Sequence, residues 1–266
     1  MTYIKKTFKF LLKNYFIVLP IVAAVFLSAL IMGRATANGL ALNWFRVTIA
    51  PTKPFAVLGL LWSAITSQYM GILGMLLMIV AVPATVGMIF KASGGRKAAL
   101  NDIVPSVSQH IVQYLIYLAG VILLGLAGGL LVLIIALLFG LISLLLKGFG
   151  IFLFVLVLIA LGLAYLAITV LLSFWMPSML IDNTNVVDGA KLSYAYAKPS
   201  FWVLAGNIIL INIAGALAGW LFGLILGWIP FIGMLLSAIV QALTTVFMTT
   251  FIVLLYLEKT GRTVTE

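Results

Sequence analysis

Apolar residues run through this chain in blocks that can be measured against a lipid bilayer. A helix needs about 20 of them to cross a hydrocarbon core. Blocks of that kind fall at about 15–32, 70–90, 111–139, 151–176, 201–227 and 231–257. None alternates with a period of two, so neither strands nor a β-barrel is expected. The pattern predicts an all-α, polytopic integral membrane bundle, with six transmembrane helices in a single transmembrane domain over residues 1–266.

The third block needs an arbiter. Residues 111–146 carry no Asp, Glu, Lys or Arg, and as one helix they would be roughly 54 Å long against about 30 Å of hydrocarbon. One reading is a long span followed by an interfacial helix; the other is two short spans broken near Gly128-Gly129. With six spans and the N-terminus inside, 11 Lys and Arg lie on the cytoplasmic side and four outside, whereas splitting the segment gives eight and seven. The positive-inside bias therefore favours six spans with both termini cytoplasmic.

The first block follows a basic start, and Ala35-Thr36-Ala37 has the small-x-small form of a signal-peptide cleavage site. Its apolar run exceeds the usual length of a signal core and further spans follow, so it is expected to stay as an uncleaved helix. The outer segment 33–69 is punctuated by Pro51 and Pro54, and its apolar part, 55–66, is too short to cross. It is expected to lie in the interface, with Trp44, Phe45 and Trp62 at headgroup level.

Composition agrees: 65% of residues are hydrophobic, 8% are charged, and the mean hydropathy is +1.32. Soluble domains carry about 25% charge, so an ordinary water-soluble enzyme is excluded. There is no cysteine, hence no disulfide and no thiolate chemistry. The net charge is +10, with five acids only: Asp102, Asp182, Asp188, Glu258 and Glu266. In a membrane protein such basic loops meet anionic headgroups, so lipid on the cytoplasmic side is the expected partner and nucleic acid is not. A protein partner or a second copy of the chain is a further expectation.

Pro83, Gly95 and Lys97 recur 94 positions later as Pro177, Gly189 and Lys191. Each triplet starts near the cytoplasmic end of a span and runs into a polar segment. This predicts two span–surface helix–span units with surface helices at 98–104 and Val186–Ala197. Asn183 or Asn185 caps the second helix, and Pro199 closes it. Arg96, Lys97, Lys191 and Lys198 are then the candidate headgroup contacts.

Chemistry is sparse. His110 has only Asp102 as a nearby acid in sequence, which falls short of a metal set; it reads as an interfacial residue. Asp182 and Asp188 suit a cap and an ion pair with Lys191. No phosphate loop, nucleophile elbow or zinc motif is present. No enzyme, cofactor or metal is expected. Within the spans, Asn207, Asn212, Ser237, Gln241 and Thr244 are candidate cavity-lining residues; Ser237, Gln241, Thr244 and Met248 share one helical stripe. The plainer reading is interhelical hydrogen bonding. Gly215, Gly219, Gly223 and Gly227 recur every four residues and make a candidate helix-packing face.

The stretch Met176-Pro177, Asp188-Gly189-Ala190-Lys191-Leu192-Ser193 and Phe201-Trp202 resembles a pattern of bacterial six-span proteins. These are the glycerophosphoryl diester phosphodiesterase membrane-domain family and its relatives. Their pattern is a Pro at a helix end, a short polar link, an amphipathic helix with a Gly-x-Ala-Leu-x-x-Ser-like core, and an aromatic-led next span. Here the spacing departs from that pattern, and an arginine expected near Ser193 is missing. The resemblance covers about 83–257 and implies architecture only; nine residues follow the last span, so the family's catalytic domain is not expected. It also implies a bacterial cytoplasmic membrane. Two functions are compatible with these features: a non-catalytic accessory or regulatory protein acting through lipid or protein partners, and a permease-like component moving a small or amphipathic solute.

Overall fold

The computed structural model describes residues 2–32, 76–146, 148–226 and 230–262. The outer segment 33–69 with its Ala35-Thr36-Ala37 motif, the first residues of the second block, Lys147, Gly227 and the Trp228-Ile229 part of the last turn lie outside the described residues.

Every regular element among the described residues is helical. They are α1 (Thr2–Lys13), α2 (Leu19–Met32), α3 (Leu76–Ser93), α4 (Ile103–Leu146), α5 (Gly148–Leu171), α6 (Trp175–Asp182), α7 (Val186–Ala197), α8 (Phe201–Leu226) and α9 (Pro230–Lys259). Short 3-10 turns cover Tyr15–Val18, Leu100–Asp102 and Lys198–Ser200. Five stretches are long and apolar enough to cross a membrane: Leu76–Ser93, Leu100–Ile142, Phe152–Asp182, Val186–Phe222 and Ala238–Lys259. A sixth is added if α1 and the segment Tyr15–Ser28, bent by 97°, count as one. This is the helix inventory of a multi-pass membrane protein.

The chain divides into two compact units, Met1–Ile111 with Asn207–Glu266, and Val112–Gly206. The first is centred on α2, α3 and α9, where Ile21, Ala24, Ala81, Ala242 and Val246 are buried together. Three alanines in that set let the helix backbones approach closely, which in lipid is what drives helix association. The sharp bend after α1 has a local cause. Pro20 has no N–H to donate and its ring would collide with the carbonyl four residues back, so a helix cannot run unbroken through Phe16. Asn14 takes non-helical angles (φ −125°, ψ 51°), and the next four residues tighten into the 3-10 turn. α1 then packs on the last turns of α9, where the Tyr3 hydroxyl donates to Glu258 Oε1 at 3.3 Å.

In the second unit, α4 runs unbroken through Gly128-Gly129. The break anticipated there as one alternative is absent; a run of good helix formers on both sides outweighs the roughly 1 kcal/mol that each glycine costs a helix. Its 44 residues make a rod of about 66 Å. The Phe139 ring of α4 lies 6.3 Å from the Phe154 ring of α5.

The surface helix expected at 98–104 is not formed. Ala99 is extended (φ −126°, ψ 159°), a single 3-10 turn follows, and the chain enters α4 directly at Ile103. Asp102 Oδ2 accepts the Ala99 N–H at 3.0 Å. Pro105 fits only the first turn of a helix and so sets where α4 begins. The second expected surface helix is present with its predicted bounds, Val186–Ala197. The duplicated sequence element is thus not a duplicated helix. Gly95 and Gly189, its matching glycines, serve different ends: Gly95 holds a left-handed angle (φ 89°), while Gly189 lies inside a helix.

The α8–α9 contact gives a paired test. A Cβ at Gly215 would come within 2.5 Å of Thr244 Oγ1 and 2.6 Å of its Cγ2, whereas one at Gly219 meets nothing within 4 Å. Gly215→Val is expected to destabilise by about 1–3 kcal/mol through overpacking, and Gly219→Val to be close to neutral. Thermal unfolding in detergent checks both; equal effects at the two positions would refute the packing assignment.

Candidate functional site

The most developed polar surface is α7 and its surroundings, all within the second unit. Asn185 starts the helix: its Oδ1 accepts the Asp188 N–H at 2.8 Å and its amide donates to Asp188 Oδ2 at 2.6 Å. This satisfies an end donor that the helix itself leaves unpaired. Asn183, the other expected cap, instead closes α6 in the left-handed conformation (φ 51°).

The inner face of α7 is a row of small residues, Gly189, Ser193 and Ala197, all buried. A Cβ at Gly189 would reach Met179 Cγ at 2.8 Å and Thr184 Oγ1 at 2.9 Å. Ser193 does the most specific work. Its hydroxyl accepts the Phe174 N–H at 3.0 Å and donates to the Leu171 carbonyl at 2.8 Å. Those backbone groups are freed where α5 stops and α6 begins, so one buried hydroxyl closes the break and anchors the surface helix to it. The Trp175 indole N–H, donating to the Val186 carbonyl at 2.9 Å, fixes the start of α7 to the same place.

The outer face collects Val187, Lys191, Tyr194 and Lys198, spaced at i, i+4, i+7 and i+11, all exposed. Lys191 is 73% exposed and lies 3.7 Å from Asp188, the ion pair expected from the sequence. Lys198 Nζ stands 5.4 Å above the Tyr194 ring, and Trp202 follows at 84% exposure. A shallow apolar groove beside Trp175 and Gly120 opens along this face. Cations interleaved with exposed aromatic rings are what a headgroup layer accommodates.

In the first unit Arg96 and Lys97 are exposed, beyond the Gly95 turn. They sit next to a pinned corner that the sequence did not reveal. Asn14, buried, donates to the Phe10 carbonyl at 3.1 Å and accepts the Ala98 N–H at 3.2 Å. Lys91 and the buried Asp102 pair at 3.6 Å, and the Arg262 guanidinium lies 5.8 Å over the Phe90 ring. His110 is buried. A Cβ on Gly87 would meet Ser106 Cβ at 2.6 Å and His110 Cδ2 at 2.8 Å. The imidazole therefore fills the contact between α3 and α4. Burial was unreadable from sequence because it depends on a glycine 23 positions away.

The candidate cavity-lining residues separate. Asn212 is exposed and its amide donates to the Ile208 carbonyl at 2.8 Å. Thr244 is half-buried, with its hydroxyl on the Val240 carbonyl at 2.8 Å and its side chain against Gly215. Gln241 is exposed and its carbonyl accepts from Thr245 Oγ1. Asn207 is half-buried. The side chain of Ser237 and the packing of Gly223 lie outside the described residues. Among the described residues, no three His, Asp or Glu side chains come together as a metal set.

The chain matches no protein-family model, no curated protein and no solved structure.

Removing the Ser193 hydroxyl strands one buried donor and one acceptor. Ser193→Ala is expected to cost about 1–3 kcal/mol and lower the thermal midpoint, while Tyr194→Ala, on the exposed face of the same helix, leaves it unchanged. A Ser193→Ala midpoint equal to that of the unaltered chain would show that the break is held by other contacts.

Proposed function

We propose that the chain is a non-catalytic six-span protein of a bacterial cytoplasmic membrane, an accessory or regulatory component working through anionic lipids and a protein partner on the cytoplasmic side. The outer face of α7 carries this reading. It is rigidly anchored through Ser193 and Trp175, yet it turns Lys191, Tyr194, Lys198 and Trp202 outward, where no internal contact explains them all. Lysine heads with apolar stems and aromatic rings are matched to an anionic interface.

The threading has its own support. α1 meets the last turns of α9 through Tyr3, Lys6 and Glu258, a contact that supports an even number of spans. The excess of Lys and Arg on the side of the two termini makes it the cytoplasmic one. The resemblance to the glycerophosphoryl diester phosphodiesterase membrane-domain family belongs to this same proposal and extends to architecture alone.

A chain without cysteine suits a labelling test. Lys97→Cys and Lys191→Cys, both at exposed positions, are expected to react with a membrane-impermeant maleimide from the cytoplasmic face only. Reaction from opposite faces overturns the threading. Native mass spectrometry of the protein extracted with its own lipids tests the rest. Anionic lipid is expected to be retained, and Lys191→Gln with Lys198→Gln to lower that retention by a factor of about five per lysine. Unchanged retention would remove α7 from the lipid interface.

A further inference from the structure

We propose that the pocket between α1 and the last turns of α9 binds the headgroup of an anionic phospholipid. This inference rests on the threading above, which puts α1 at the cytoplasmic leaflet. The pocket encloses about 310 Å³. Its basic wall is Lys6, Lys9 and Lys13 of α1, and its apolar floor is Phe251, Leu254 and Leu255 of α9. All three floor residues are buried.

The sectors of α1 explain why an amphiphile suits this place. Thr7 and Phe10 are buried against the rest of the unit. Phe8 and Leu12, one turn apart on α1, form an exposed apolar edge. The lysines occupy a third sector at i, i+3 and i+7. A helix with one apolar edge and one basic face lies in the plane of the interface, with its apolar edge toward acyl chains. That position supplies lipid at high local concentration, which is why a phospholipid rather than a dissolved anion is the occupant named here.

Charge selects the headgroup. Three lysines face one carboxylate, Glu258, so the pocket keeps a positive excess. Glu258 sits 3.9 Å from Lys6 and accepts a hydrogen bond from Tyr3. Partial burial, reinforced by the Glu258 charge and its hydrogen bond, pushes the Tyr3 phenol above its ordinary range. Among the described residues Lys9 makes no ion pair. A phosphodiester can engage these ammonium groups while its glycerol and first methylenes cover the apolar floor, a combination that a zwitterionic lipid with its own cation matches less well.

The test is lipid titration of the full chain in detergent by native mass spectrometry, using phosphatidylglycerol, phosphatidylcholine and glycerol 3-phosphate as probes. Phosphatidylglycerol is expected to bind more tightly than phosphatidylcholine. The combined Lys6→Gln, Lys9→Gln and Lys13→Gln variant should lose more than tenfold in phosphatidylglycerol affinity, each exposed lysine contributing a factor of about five. Glu258→Gln should shift it the other way and tighten binding, a change that a misfolded variant would not produce. Retained affinity in the triple-lysine variant overturns the proposal. So does displacement of the lipid by glycerol 3-phosphate at equal concentration, which marks a site for soluble anions. If the Lys191→Gln and Lys198→Gln changes lower binding and the triple variant does not, the pocket fails while the accessory reading stands. If cysteine labelling overturns the threading, the detergent titrations still decide the pocket.

Discussion

Backbone groups freed within a bilayer or a protein interior have no water to turn to, and each one left unpaired costs several kcal/mol. Where an apolar helix stops and restarts, the protein must supply a side chain in place of solvent. Here two such places stand out among the described helices. Between α5 and α6, Ser193 takes both the Phe174 N–H and the Leu171 carbonyl. After α1, the Asn14 side chain takes the Ala98 N–H, while its amide joins its own backbone N–H on the Phe10 carbonyl. In each case a residue of one segment closes the backbone of another, so the surface segments are fixed where the helices are interrupted. The interruption is the cause, and the ordered basic surface is its consequence.

Much of this was legible in the sequence, and the failures are informative. The apolar blocks at 201–227 and 231–257 became α8 and α9 almost residue for residue, because length and hydropathy are sums over many positions and tolerate local error. The bounds of α7 were readable from Asn185 and Pro199, each of which acts on its own immediate backbone. The expected helix at 98–104 failed because Pro105 and the Asp102–Ala99 bond shift the helix start to Ile103. The 97° bend had a visible cause in Pro20, but its partner, Ala98, lies far along the chain. α1 was counted only as basic flank, although the spacing of Thr7 and Phe10 against the lysines already had helical period. Long-range closures by Asn14, Gly87 and Ser193 left no local signature at all.

Positive charge is distributed to match. Arg96, Lys97, Lys191 and Lys198 are exposed, and of the three described ion pairs two involve exposed partners while Lys91–Asp102 is the sheltered one. Exposed pairs add little to stability; the sheltered pair, next to the α3–α4 turn, belongs to the fold. Arg96, Lys97, Lys191 and Lys198 therefore turn their charge toward the surroundings. In a chain with +10 net charge and 65% hydrophobic residues, that division separates a scaffold made by packing from a surface made by charge.

Packing itself follows a narrower rule than a glycine stripe. Gly87, Gly189 and Gly215 stand against neighbours that include a hydroxyl-bearing side chain (Ser106; Thr184 and Ser178; Thr244), while Gly120 stands against the Trp175 ring and Val186. A small residue opposite a Ser or Thr lets backbones approach, which suits association in a solvent as apolar as the side chains, and at two of these contacts the hydroxyl also bonds within its own helix. Thr244 does this through Val240, and Ser178 through Trp175. Gly125, Gly128, Gly129, Gly140 and Gly219 have nothing within 4 Å of a Cβ and play no such part. Four-residue spacing marks a face, but helices that cross at an angle touch along only part of it. The contact is set by where the opposing hydroxyl falls, which is why Gly215 is locked against α9 and Gly219, one turn further on, stands open.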